Sequence, residues 1–288
     1  MERRYDWVVK FKELEYKYYR LAQGVQPKPD EPTVGSEFYI ENIDVVPGVF
    51  SITKKGTPTN TPNIEVKVNN SNWMPYNIVE GGTTEITVPV GGKIYLRGDN
   101  SYINNSNTKY YMIRFTTKHN IGGYLTSLLQ KEGFAEVTSY NKENIFNYLF
   151  NKDLTLVNAK DLILQATTLT SRCYSSMFSE CKELVTAPKL PATTLTTQCY
   201  SSMFRWCTSL ITAPKLPATK LANNCYMYML SGCTSLESVT ALFETYIEGA
   251  CSNWLSGVSE TGTFYKKTGV EIPSGVSGIP EGWTVVEV

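Results

Sequence analysis

The chain has 288 residues, and its 27 lysines and arginines balance 27 aspartates and glutamates. Zero net charge without long basic runs argues against a nucleic-acid or anionic-membrane surface. One histidine, His119, is too few for an HExxH zinc site or a His-rich metal site, and makes a histidine triad improbable.

Residues 1–24 place Trp7, Phe11, Leu14, Tyr18 and Leu21 at steps of four and three, with charged residues on the other faces. That spacing predicts a heptad helix that self-associates or anchors the chain, a trimer being one arrangement; folding back on its own domain is the alternative. Charges interrupt every apolar run of this segment, so it does not read as a secretory signal. No stretch holds 18 uninterrupted apolar residues, and the chain is expected to be made soluble in the cytoplasm. Residues 25–35, with Pro27, Pro29 and Pro32, predict a semi-rigid linker.

Over residues 36–118 the apolar period changes to two, with expected strands at 38–43, 49–54, 64–68, 85–90, 93–97 and 110–117. Gly91-Gly92 predicts a hairpin between two of them. Short strands separated by Asn, Ser, Thr and Gly predict a small antiparallel sandwich or barrel, with Trp73 and Tyr76 as core residues. Residues 119–148 read as a connecting helical segment, with helices at 124–132 and 142–150.

Residues 149–288 hold all seven cysteines on one 26-residue lattice. Cys173, Cys199, Cys225 and Cys251 form one column, and Cys181, Cys207 and Cys233 a second. The phrase CYSSMFSECKELVTAPKLPATTL returns as CYSSMFRWCTSLITAPKLPATKL and then, loosely, as CYMYMLSGCTSLESVTALFETYI. A fixed period of this length marks a solenoid. Cys173, Tyr174, Met177, Phe178 and Cys181 suggest a helix in each unit, and 184–190 a short strand, which is a leucine-rich-repeat layout. The first unit is degenerate, with Asp153 where Cys181 stands and Leu156 where Leu184 stands. Segments 262–267 and 282–288 read as closing strands. The expected class is therefore α+β and multidomain: N-terminal helix, β-sandwich or barrel, and a short helix-plus-strand solenoid with a β cap.

Constant slots, including Met177/Met203/Met229 and Leu195/Leu221/Ile247, read as packing. The cysteines read as core thiols, with a ladder disulfide or a metal as alternatives. Slots that vary escape that constraint. Ser179-Glu180 becomes Arg205-Trp206 and then Ser231-Gly232; Ser175-Ser176 becomes Ser201-Ser202 and then Met227-Tyr228; Val185 becomes Ile211 and then Glu237. These slots are expected to be exposed, and Arg205, Trp206, Met227 and Tyr228 are the candidate binding residues, for a protein surface or a sugar ring. Incidental surface aromatics are the alternative. No GxSxG, P-loop, GxGxxG or paired metal motif is present, and a cysteine nucleophile lacks a histidine in the repeats, so neither catalysis nor a cofactor is expected.

The phrase CYSSMF-x-x-C-x-x-L-x-T-AP-x-LPATTL, with TGTFYKK and GIPEGWTVV behind it and GGKIYLRGDN ahead, resembles BspA-type leucine-rich-repeat surface proteins of gut Bacteroidales and their phages. The resemblance covers about residues 36–288. It implies non-enzymatic adhesion or recognition of a host-surface protein or carbohydrate. The N-terminal helix departs from the bacterial pattern and suits a phage virion, with the helix docked to other virion proteins and the repeats outward. A head or tail fibre or decoration protein is expected; a bacterial cell-surface adhesin and a purely structural virion component are the alternatives.

Overall fold

A computed structural model describes residues 36–78 and 84–288. The expected helix (1–24, with Trp7, Phe11, Leu14, Tyr18 and Leu21) and linker (25–35) lie outside the described residues. The expected α+β class is overturned: among the described residues no helix reaches seven residues, and three sheets carry the fold.

The N-terminal half is a two-sheet sandwich. One sheet contains β1 (Phe38–Asn42), β3 (Ile64–Val68), β4 (Met74–Tyr76), β6 (Lys93–Gly98), β8 (His119–Tyr124) and β9 (Leu156–Ile163), ordered β4-β3-β6-β1-β8-β9. The other contains β2 (Gly48–Lys55), β5 (Ile86–Val88) and β7 (Tyr110–Phe115), ordered β5-β2-β7. Strand alternation sets the faces: Ile94 and Leu96 of β6 point into the core, while Lys93, Tyr95 and Arg97 are half-exposed.

The turn at Gly91 forms, with φ of +65° and a hydrogen bond from Gly92 N to Pro89 O of 2.9 Å. It is not a hairpin, because β5 pairs with β2 while β6 pairs with β1 and β3, so the chain changes sheets there. Tyr76 is core, but Trp73 is half-buried on the outer face. The expected connecting helices are absent as well. Residues 119–124 are a strand between β1 and β9, 125–128 a single 3-10 turn, and 142–150 a run of tight turns.

Those tight turns begin the solenoid, and they explain why the repeats mimic a helix. In residues 170–181, alternate N–H groups donate three residues back: Cys173 to Thr170, Ser175 to Arg172, Met177 to Tyr174 and Ser179 to Ser176. The intervening N–H groups donate to the next coil: Tyr174 to Cys199 O, Ser176 to Ser201 O and Phe178 to Met203 O, at 2.9–3.0 Å. Every fourth residue is left-handed, with φ of +55° at Arg172, +54° at Ser176 and +64° at Glu180. The motif therefore repeats every four residues, close enough to 3.6 to imitate an amphipathic helix.

Opposite the turns runs a parallel strand ladder. It starts at β9, passes through Asn158, Thr186, Thr212 and Ser238, and ends in β10 (Ser238–Ala241), β11 (Thr263–Lys266) and β12 (Thr284–Glu287). Because β9 also pairs in parallel with β8, sandwich and solenoid share a hydrogen-bonded sheet.

The interior is stacked by column. Phe38 of β1 meets Phe150, which continues to Phe178 and Phe204 with centroids 5.4 and 5.5 Å apart. A second column runs Phe146, Tyr174, Tyr200, Tyr226, Trp254 at 5.8–6.2 Å. Each fully buried ring contributes roughly 2 kcal/mol by area alone. Cys181, Cys207 and Cys233 each donate a thiol hydrogen bond, 3.0 Å long, to Phe150, Phe178 and Phe204 O of the preceding coil.

Asp153 takes the thiol slot in the first coil. Its Oδ2 lies 3.3 Å from Nε2 of His119, both side chains being buried, while Nδ1 of His119 bonds Thr117 O. The 26-residue lattice breaks at the far end. Tyr226 N bonds Ala250 O and Tyr228 N bonds Ser252 O, so Cys251 follows Tyr226, not Cys225, and Ala250 stands under Cys225. The slot expected to hold Leu195, Leu221 and Ile247 as core also opens outward: the leucines are half-buried and Ile247 is exposed.

Candidate recognition site

The left-handed positions stack in columns along the coils. One such column reads Lys152, Glu180, Trp206, Gly232, Gly257, with φ between +61° and +78°. Lys152 and Glu180 pair across it at 3.5 Å. In the next coil the slot holds Trp206, 46% exposed and the largest exposed ring among the described residues. Its backbone is fixed by a 2.7 Å hydrogen bond from its N–H to Ser231 O.

Gly232 explains how the indole lies. A Cβ on Gly232 would come within 2.1 Å of Trp206 Cδ1, so the ring rests on bare glycine backbone. Only glycine fits that approach, and its φ of +78° is also one that glycine adopts without strain. The sequence marked Gly232 as a variable slot but gave no sign that it seats the tryptophan one coil away.

Arg205 and Tyr228 complete the cluster. The Arg205 guanidinium carbon is 5.0 Å from the Trp206 ring centroid and 5.1 Å from that of Tyr228. Cation–π contact of this kind is worth roughly 0.5–1 kcal/mol at an exposed site. Three of the four residues singled out by variation thus meet in space. Met227 is half-buried, and its carbonyl accepts from Ser202 N and Ser201 Oγ, ending a short serine ladder. No ring or cation contact ties it to the cluster. None of the variable slots is uniformly exposed, contrary to expectation: Ser176, Ser179, Ser201 and Ser231 are buried in the first two, and Val185 and Ile211 in the third, where only Glu237 faces out.

A rival aromatic surface covers the outer face of the larger sandwich sheet. There Lys67 lies 4.6 Å from the Trp73 ring and 4.9 Å from Tyr95, Arg97 lies 4.1 Å from Trp73, and Lys93 covers Tyr39 at 3.9 Å. Glu65 holds Arg97 and Lys131 at 2.8 and 2.7 Å, which keeps its carboxyl below the usual range. These rings are only partly exposed, and the Arg97 that lies against Trp73 is already paired with Glu65.

All seven thiols are free and buried. Burial pushes Cys225 up to about 11 and Cys199 and Cys233 up to about 12. The imidazole of His119 is sealed against Asp153, and the concavity between the sandwich sheets is lined by apolar residues such as Ile52, Ile64, Leu96 and Leu149. Among the described residues, no three His, Cys, Asp or Glu side chains converge as metal ligands.

No protein-family model, curated protein or solved structure matches the chain. Sandwich, solenoid and surface cluster therefore stand on their own geometry.

Proposed function

We propose that this chain is a non-enzymatic recognition protein, whose solenoid presents Arg205, Trp206 and Tyr228 to a glycan on a host surface. The observation that carries the reading is the guanidinium shared by two rings, one of them nearly half exposed, on a coil edge where Asn253 and the Lys152–Glu180 pair are the polar neighbours. A planar ring beside hydrogen-bond donors is what a sugar needs, since its apolar face stacks and its hydroxyls bond.

A glycan fits better than a protein partner. Protein interfaces gather apolar side chains around an anchor over roughly 800 Å² per partner. Here the other exposed large apolar residues are scattered: Val45, Val46 and Met74 in the sandwich, and Leu154, Ile247, Val276, Val285 and Val288 in other turns of the solenoid.

The virion setting, a head or tail fibre or decoration protein, rests on the likeness of the repeat phrase to BspA-type surface arrays. The proposed role of residues 1–24, oligomerisation or docking to other virion proteins, rests on their heptad spacing.

The test is a screen of the full chain against host cells and a glycan array, with Trp206→Ala and Tyr228→Ala as comparison. Each substitution should lower retention about tenfold, the loss of a single anchor contact, while the urea midpoint stays within experimental error. Undiminished retention by both variants would overturn the site.

A further inference from the structure

We infer that the ligand at this patch is an acidic polysaccharide, its carboxylate bound by Arg205 and a sugar face laid against Trp206. The inference rests on the recognition reading above and names the ligand class of the same site.

The argument starts from the arginines. Four lie among the described residues, and three of them spend donors on the protein. Arg97 Nε bonds Glu65, Arg172 Nε bonds Gln198 Oε1 at 2.6 Å, and Arg114 bonds Ile113 O. The Arg205 side chain makes no hydrogen bond and no ion pair to a described residue, and its Nε is buried without an acceptor. Because that Nε is closed off from solvent, an outside ligand meets the terminal N–H groups, which stay accessible and unbonded.

The surroundings narrow the acceptor. The guanidinium lies against both rings, and its unbonded terminal N–H groups suit a planar, two-oxygen partner. The cation in the neighbouring outward column, Lys152, is already matched by Glu180. A single unpaired positive charge suits a monoanionic carboxylate, whereas dianionic phosphate draws clustered cations or a nest of backbone N–H groups. Asn253 Nδ2 stands 3.5 Å from the Tyr228 hydroxyl, so a short polar group flanks the site. A uronic-acid unit offers the combination required: one carboxylate, one apolar ring face and several hydroxyls.

The experiment titrates the full chain, by calorimetry, with polygalacturonate, alginate and hyaluronan. Each is compared with its carboxyl-reduced form, in which the uronic acids have become neutral sugars, and with a neutral mannan and a neutral glucan. At least one uronate polymer should bind, and its reduced form about tenfold or more weaker, the worth of a charged hydrogen bond. Arg205→Gln should abolish the difference between acid and reduced forms, and Trp206→Ala should weaken both. Equal binding of acid and reduced forms, or binding confined to the neutral polymers, overturns the acidic ligand and leaves the glycan reading intact. Displacement by polyglutamate as efficient as by the uronate shows that charge alone is read, and overturns the sugar assignment. If no polymer binds, the acidic ligand falls; if the glycan array is blank as well, the glycan reading falls with it.

Discussion

Cys173, Cys199 and Cys225 lie one above another in the solenoid core, and burial raises every one of their thiols. The consequence is a stability that fails on the alkaline side. An unfolded thiol ionises near 9, whereas folded Cys225 holds its proton to about 11 and Cys199 to about 12. Stability from these groups is complete below pH 9. It falls as pH rises toward 11–12, where the unfolded state has lost protons that the folded state keeps. Each thiol adds a slope of up to about 1.4 kcal/mol per pH unit in that window. The urea midpoint should drop steeply between pH 9 and 11, and less steeply in Cys199→Ala; a flat profile would contradict the burial. Comparing the repeats located this interior and also the outward Arg205, Trp206 and Tyr228, because packing preserves volume and exposure releases it. Gly232 was not legible, since its role is to lie beneath an indole that belongs to another coil.

Across the elements, the strands of the sandwich were legible because alternation reports burial directly, as in Lys93–Gly98. The helix in each repeat was misread because Cys173, Met177 and Cys181 recur every four residues for a different reason, the left-handed residue that closes each turn. Such residues cost roughly 1–2 kcal/mol when they carry a side chain, and the coil-to-coil hydrogen bonds offset it. Ser202, with φ of +56° and its N–H bonded to Met227 O, tests this account. Ser202→Gly should leave the urea midpoint unchanged or raise it, whereas Ser202→Val should destabilise by about 1–3 kcal/mol. An α-helix would reverse that order, glycine being the weaker helix former. The slip at Cys251 escaped notice for a related reason: cysteine is small enough for the Tyr226 slot, and Trp254 fills the remaining space by stacking on Tyr226.

For the molecule as a whole, the boundary read at residue 118 does not separate two bodies. Strand β8 lies between β1 and β9, Phe38 packs on Phe150, and buried His119 faces Asp153 of the first coil. Sandwich and solenoid should therefore unfold in one transition, so that tryptophan fluorescence and far-ultraviolet circular dichroism give the same urea midpoint. Asp153→Ala, which strips His119 of its partner, should shift both probes together by about 1–3 kcal/mol. Two separated transitions would break the account. No single stretch of sequence carries this continuity, because the pairing of β8 with β9 joins segments more than thirty residues apart. The coil-to-coil ladder has one more consequence, at the level of the gene. The coils that begin at Cys173 and Cys199 offer their neighbours the same hydrogen bonds and the same columns of rings, so unequal recombination between these near-identical copies would add or remove whole coils without disturbing either cap. Each event would move the tip by one strand spacing, about 4.8 Å. Reach would thus be inherited as copy number, separately from the residues that choose the target.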